Sequence, residues 1–420
     1  NEGELVNIRF QPNEDVQIGD IYKVKITEIL PNDSGAFVSY SNGDQRGFFK
    51  RINFPNGDKA HEGQSLLLQV RSIGSKDKVH LFTNNIILTG KFINLLPYGD
   101  EIILSRRTRK NLDTNQQDKI MDALSESEVG LIARHNLTPE NIEIALSELN
   151  DLNNQWKEID LNSKNYIFFG GSTMWGSGVS DEYTIPSIVS SDHKVKTINY
   201  GESGYIARQS LSMLNNLYIN NKLEFGSNVI VFYDGANDVF DRCRVENKGV
   251  GSVREEQIRK KMNSKFLNFD YVIQPFLSLI NKIKTDDINQ DHMFVCDQNP
   301  ERVNEIVSTL IETWRLANII AKNNGDKFIA ILQPVAFIGD PFIDHLPLVQ
   351  FKQNEFKKQF ETVYPILQKE IKQIEDFTVL DFTHIYDREF GDEHIYQDFC
   401  HSSPQGHYRF SEAFGKYIIN

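Results

Sequence analysis

Asn228-Val229-Ile230-Val231-Phe232-Tyr233 is an almost unbroken apolar run, and it leads directly into Asp234-Gly235-Ala236-Asn237-Asp238. A strand with one wet face alternates apolar with polar residues. A continuous apolar run belongs to a strand covered on both faces, as in a parallel sheet. Four more runs of this kind lie around it: Tyr166-Ile167-Phe168-Phe169, Lys196-Thr197-Ile198-Asn199, Phe328-Ile329-Ala330-Ile331-Leu332 and Thr378-Val379-Leu380-Asp381. Helical patterns at 304–322 and 351–375 separate the later ones. Strands alternating with helices predict a doubly wound α/β domain with a parallel sheet, and such sheets take ligands at the carboxyl ends of their strands.

Upstream the pattern changes. Ile142, Leu146, Leu149, Leu152 and Trp156 recur at helical spacing within a helical stretch running from about 115 to 158, and Thr138-Pro139-Glu140 offers a cap followed by Pro at the first turn. Ile159 to Lys164 is short and polar and is read as a boundary. Before residue 105 short β runs alternate with turn signals. They are Ile21 to Ile26, Ala36 to Tyr40, Gly47 to Phe49, Ser65 to Val70 and Lys78 to Phe82, punctuated by Pro31-Asn32 and Asn42-Gly43. Strands at this spacing predict a small closed barrel. The expected organisation is therefore an all-β barrel over 1–105, a short α+β segment over 106–160 and the α/β domain over 161–420.

A chain of 420 residues exceeds what one hydrophobic core usually supports. Its formal net charge is −13, with 18 basic against 24 acidic residues in 1–160 and 27 against 34 in 161–420. Neither part carries the positive excess that grips nucleic acid regardless of sequence. The local exception, Arg106-Arg107-Thr108-Arg109-Lys110, reads as a solvated stretch. Cys243, Cys296 and Cys400 lie far apart with no paired spacing. That predicts neither a disulfide framework nor a zinc knuckle, and it fits a reducing compartment. With no apolar run near 18 residues and no basic-then-apolar start, the expected location is cytoplasmic.

The chemistry-bearing residues fall just past the strand ends. These are Gly170-Gly171-Ser172-Thr173, Gly201-Glu202-Ser203-Gly204, Gly235-Ala236-Asn237-Asp238 and, near the C-terminus, Asp398-Phe399-Cys400-His401. A serine hydroxyl is a poor nucleophile until a base takes its proton. Glycines before Ser172 allow a sharp turn that presents the hydroxyl to solvent. His401 has Asp398 three residues upstream, positioned to fix the imidazole tautomer and steady the imidazolium. Taken one at a time, each block has a plainer reading: a capped β-to-α turn, an Asx turn, a surface ion pair. In this order, together, they resemble the SGNH (GDSL-type) hydrolases over roughly 164–420, although the first block reads GGST rather than GDSL.

That resemblance implies Ser172 as nucleophile, His401 as base and Asp398 as its orienting carboxylate. It implies an oxyanion hole from the backbone N–H of Ser172, the N–H of Gly204 and the side-chain amide of Asn237. Gly201 competes for the second role. No cofactor and no metal are expected, since Asp234 and Asp238 lack further ligands nearby. His384 follows Asp381 at the same spacing but leaves a strand directly, while His394 and His407 lack such a carboxylate. Trp175 and Tyr233 are pocket candidates whose commoner fate is core, and 239–300 with the loop from Gln333 to Pro347 is expected to shape the substrate pocket.

The first 158 residues carry a second resemblance. Gly19 to Ile26, Gly35 to Tyr40, Arg46-Gly47-Phe48-Phe49, Leu88-Thr89-Gly90-Lys91-Phe92, Val129 to Arg134 and Leu149 to Trp156 resemble the OB-type RNA-binding and adjoining region of ribonuclease E/G. OB barrels stack single-stranded bases on aromatics beside basic groups. The expected platform is Phe37, Tyr40, Phe48 and Phe49 near Lys23, Lys50 and Arg51. In the family an Arg-Thr pair helps bind an RNA 5′ phosphate; here His135 follows Arg134, so the pair is broken. The nuclease's metal-binding carboxylates lie in a later segment, replaced here by the hydrolase-like region, so ribonuclease activity is not expected. The leading expectation is an esterase or deacylase, acting on a small-molecule or carbohydrate ester, with a module for single-stranded RNA. The alternatives are an RNA-binding protein with an idle α/β domain, and an O-acyltransferase acting on a sugar.

Overall fold

Alternation builds the first sheet. In β1 (Ile21–Ile29) Val24 and Ile26 point inward while Lys23 and Lys25 face solvent, and in β2 (Ala36–Tyr40) Ala36, Val38 and Tyr40 point inward. With β3 (Gln45–Phe49), β4 (Ser65–Ser72) and β5 (His80–Thr83) these strands close a barrel in the order β1-β2-β3-β5-β4, with β4 returning to pair with β1. Period-2 patterning of this kind fills a small barrel with side chains. The computed structural model describes residues 16–31, 34–40, 45–50, 61–75, 78–247, 249, 251–252, 293–346, 353–391 and 393–419.

A separate four-stranded sheet follows, in the order β6-β7-β9-β8, from β6 (Leu88–Thr89), β7 (Ile93–Leu96), β8 (Ile102–Leu104) and β9 (Gly130–Ala133). The residues just before 105 thus pair with 130–133 and not with the barrel. Helices Thr114–Leu124 and Ile142–Ser163 flank β9 in sequence, so the helical stretch expected over 115–158 is interrupted by a strand. Leu149 and Leu152 are buried in the core of this layer, with Ile142, Leu146 and Trp156 packed against it. Barrel and sheet belong to one unit, residues 1–163 with 224–227.

The other unit, 164–223 with 228–420, is built on five parallel strands: β10 (Asn165–Gly170), β11 (Lys196–Asn199), β12 (Asn228–Asp234), β13 (Lys327–Leu332) and β14 (Thr378–Asp381). Their order is β11-β10-β12-β13-β14. Every residue of β10 and β12 is buried, as an interior strand covered on both faces requires, while the edge strands β11 and β14 keep exposed positions. Helices Pro300–Asn323 and Gln353–Ile371 occupy the stretches whose period predicted them. The chain direction switches beside β10 and β12, which opens a crevice at their carboxyl ends.

One expectation about this unit is overturned. Cys243 and Cys296 form a disulfide, their Cα atoms 5.2 Å apart at a sequence separation of 53, and Cys400 alone is a free, buried thiol. Bridging requires Cα atoms within about 4.4–6.8 Å, a property of the folded chain that spacing along the sequence does not carry. Disulfides persist in oxidising compartments, so the case for a reducing one no longer rests on these cysteines. Among the described residues no helix is long and apolar enough to cross a membrane.

Candidate active site

β10 ends at Gly170, Gly171 follows in extended conformation, and Ser172 opens the single-turn helix Ser172–Trp175. A Cβ on Gly171 would stand 2.2 Å from Asn237 Nδ2 and 3.2 Å from Tyr205 O. Only glycine lets the Asn237 amide approach the turn before Ser172 so closely. Asn237 sits in the first turn of helix Ala236–Arg242, directly after β12, and its Nδ2 donates to Tyr205 O at 2.8 Å.

His401 Nε2 lies 2.7 Å from Ser172 Oγ, and His401 Nδ1 lies 2.5 Å from Asp398 Oδ2. Ser172 and His401 meet in this way although they are 229 positions apart in the chain. Asp398 Oδ1 accepts from the backbone N–H groups of Cys400 at 2.9 Å and His401 at 2.8 Å. Burial works against charge on Asp398, yet the hydrogen bonds from the His401 ring and these two amides outweigh it and hold the carboxyl below its usual range. A charged carboxylate fixes Nδ1 as the protonated nitrogen and leaves Nε2 to accept the serine proton.

In the turn after β11 the two candidate glycines differ in where their N–H groups go. The N–H of Gly201 donates to Asn199 Oδ1 at 2.8 Å, that of Glu202 to Gly170 O, that of Ser203 to Glu202 Oε1, and that of Tyr205 to Glu202 O. Gly204, at φ +76°, presents an N–H with no described acceptor, one residue before the carbonyl that orients Asn237. The geometry therefore brings Ser172, Gly204, Asn237, Asp398 and His401 to the strand ends and spends Gly201 elsewhere.

Asp238 is buried and accepts from Ala207 N at 3.2 Å and Gly235 N at 3.3 Å, tying the start of helix Ala207–Ile219 to the turn after β12. Burial pushes its carboxyl up to about 6, with Arg242 opposing that shift. Asp234, also buried, accepts from Trp314 Nε1 at 3.1 Å, and burial beside Asp238 drives its carboxyl upward. Among the described residues one trio of metal-type donors clusters within 4.8 Å, Asp398, Cys400 and His401. It is the imidazole–carboxylate pair plus a thiol that burial pushes well upward, against the thiolate a metal would take.

The remaining candidates separate clearly. His384 pairs with Asp387 at 2.7 Å on the surface, His394 stacks on His345, and His407 is buried with Nδ1 at 2.6 Å from Tyr183 O, its basicity lowered by burial. Tyr233 is 1% exposed and belongs to the core; Trp175, three residues after Ser172, is 54% exposed. The segment 239–300 lies largely outside the described residues, as does the end of the loop from Gln333 to Pro347.

In the barrel the expected aromatic platform is corrected. Tyr40 and Phe49 are core residues, 2% and 0% exposed. Phe37 and Tyr40 are an odd number of positions apart on one strand, so they point to opposite faces. Phe37 and Phe48 pair across β2 and β3 on the outer face, ring centroids 5.3 Å apart, with exposed Lys50 just beyond β3. The Arg46 guanidinium lies 3.8 Å over the Phe37 ring and is bonded to Glu28 at 2.9 Å. Arg46 stands outside the expected platform, although its position two before Phe48 puts it on that ring's face. Lys23 is exposed and lies 3.9 Å from Glu224; Arg51 lies outside the described residues.

Residues 87–263 match the Ribonuclease E/G family, a span that begins in the second sheet and continues past Ser163 into the α/β unit. Ribonuclease E of a Nostoc species is 28% identical over 153 residues, covering 34% of this chain and 22% of that protein. The Ribonuclease E/G-like protein of Pyropia yezoensis is 24% identical over 163 residues, covering 36% and 32%. The chain thus spans a third or less of the length of these relatives. Among solved structures, a member of the lipolytic G-D-S-L family from Veillonella parvula matches with TM-score 0.34 and 13% identity, over 60% of this chain and 97% of that one. A GDSL-like lipase from Bacteroides thetaiotaomicron matches with TM-score 0.32 and 14% identity, over 61% and 88%.

Proposed function

We propose that the α/β unit is a serine hydrolase of carboxylic esters working through an acyl-enzyme on Ser172. The observation that carries this reading is the hydrogen-bonded line Ser172 Oγ, His401 Nε2, His401 Nδ1, Asp398 Oδ2, with steps of 2.7 and 2.5 Å. As the Ser172 oxygen attacks the ester carbonyl, its proton moves to His401 Nε2. The imidazolium formed is steadied by Asp398. The C=O electrons move onto oxygen, which faces the N–H of Ser172, the N–H of Gly204 and the second hydrogen of the Asn237 amide. Collapse expels the alcohol, protonated by His401, and leaves the acyl-serine; water activated by the same imidazole then releases the acid. An acceptor sugar in place of that water would make the same site an acyltransferase.

The test is trapping by a fluorophosphonate probe together with p-nitrophenyl acetate hydrolysis. Wild type is expected to label at Ser172 and to turn over, and Ser172→Ala to do neither. Equal inertness of both proteins would sink the reading and leave an idle α/β domain. Adding a carbohydrate acceptor and following the ratio of acid to acyl-sugar separates hydrolysis from transfer.

A second reading concerns the barrel, which we propose to be an OB-type surface for single-stranded RNA. It is supported by the Phe37–Phe48 pair, the Arg46 cation over it and exposed Lys50, and by the family likeness of the adjoining residues. Bases stacking on such rings contribute roughly 1–3 kcal/mol each. A salt-sensitive mobility shift with single-stranded oligonucleotides tests it; no shift at low salt removes it.

A further inference from the structure

A second hydrogen-bonded cluster stands at the same strand ends, made of groups with no acid–base role. Thr173, next to the nucleophile, is 2% exposed, and Gln333, just past the end of β13, is 4% exposed. Thr173 Oγ1 donates to Cys400 O at 3.1 Å and accepts from Gln333 Nε2 at 2.9 Å. Gln333 Nε2 also reaches Cys400 O at 3.3 Å. Gln333 is itself anchored at both backbone groups: its N–H donates to Asp234 O at 2.8 Å, and its carbonyl accepts from the Tyr364 hydroxyl at 3.0 Å. Strand ends β10, β12 and β13 are thereby joined to the loop that carries Asp398 and His401.

What that cluster grips is specific. The Cys400 carbonyl belongs to the peptide plane linking Cys400 to His401. The other polar group of the same plane, the His401 N–H, donates to Asp398 Oδ1 at 2.8 Å. A peptide is planar and stiff, so holding its oxygen from one side and its N–H from the other fixes the direction in which the chain enters His401. We infer that Thr173 and Gln333 are positioning residues for His401, setting the peptide plane that brings its imidazole onto the Ser172 hydroxyl. This rests on the reading of Ser172 and His401 as nucleophile and base. Proton transfer needs the heavy atoms within roughly 2.6–3.2 Å. A displacement near 1 Å costs on the order of 100-fold in rate.

The test compares Gln333→Leu, Thr173→Val and Thr173→Ser in the full chain, by kcat and KM and by the proton NMR signal of the imidazole N–H shared with Asp398. Gln333→Leu still leaves the Cys400 carbonyl bonded to Thr173; the Thr173 hydroxyl loses the donor it accepts from but keeps the bond it donates. The expected result is a fall in kcat of about 10-fold or more with KM within about twofold, and a broadened or shifted N–H signal. Thr173→Val is expected to act in the same direction, and Thr173→Ser, which keeps the hydroxyl, to restore most of the rate. A purely structural role would lower the melting temperature while leaving kcat and the N–H signal of the folded protein unchanged, and that outcome overturns the inference. So does Thr173→Ser losing as much as Thr173→Val. A wild type that neither hydrolyses esters nor labels would instead sink the hydrolase reading, and the N–H signal would still decide the positioning role.

Discussion

In the proposed mechanism three side chains at the strand ends divide the chemistry, and each has its own measurable consequence. Replacing His401 by Ala removes base assistance and is expected to lower kcat roughly 10²- to 10⁴-fold. Asn237→Ala removes one donor to the oxyanion and is expected to cost roughly 10²–10³-fold in kcat with KM little changed. Asp398 supplies the pH dependence. Its carboxyl is held below the ordinary range in the folded chain, so its stabilising contribution is full above the ordinary carboxylate value and is lost as pH falls through the lowered one. The gap in melting temperature between wild type and Asp398→Asn should therefore be widest near neutral pH and shrink once pH drops below about 4. A constant gap from pH 7 to pH 3 would contradict this. The sequence exposed these residues because each sits beside a glycine-marked turn or a carboxylate at fixed spacing. Thr173 and Gln333 carry no such mark, since a buried amide meeting a distant carbonyl leaves no local signal.

Among the elements, strands were the most legible. A strand's period is local, so apolar continuity in β10 and β12 and alternation in β1 and β2 could be read directly. The same periodicity gives the correction at Tyr40, which shares its face with Ala36 and Val38 and not with Phe37. Phe48→Ala is accordingly expected to weaken single-stranded RNA binding by roughly 1–3 kcal/mol, with ester hydrolysis unchanged. The Cys243–Cys296 bridge joins the residue capping helix Ala236–Arg242 to the turn before helix Pro300–Asn323. Closing a loop of this length is worth about 4 kcal/mol in the chain-entropy account. Replacing both cysteines by serine should lower the melting temperature in non-reducing buffer, and reductant should then add nothing further.

Across the molecule, a net charge of −13 opposes diffuse attraction to polyanions. Any RNA bound at the barrel's few cations should therefore be held weakly, and salt raised from 50 to 200 mM should remove most of the affinity, which a titration at several salt concentrations will read. What the sequence determined by itself was set by short-range rules: strand and helix periods, the turn glycines, and the order of the four polar blocks. The tertiary structure alone decided which distant residues meet. It closed the 53-residue gap between Cys243 and Cys296, brought the His401 imidazole to Ser172, and carried the Cys400 carbonyl to Thr173 and Gln333. Those pairings depend on how the parallel strands stack beside one another, and a stretch of chain contains no record of which strand will become its neighbour.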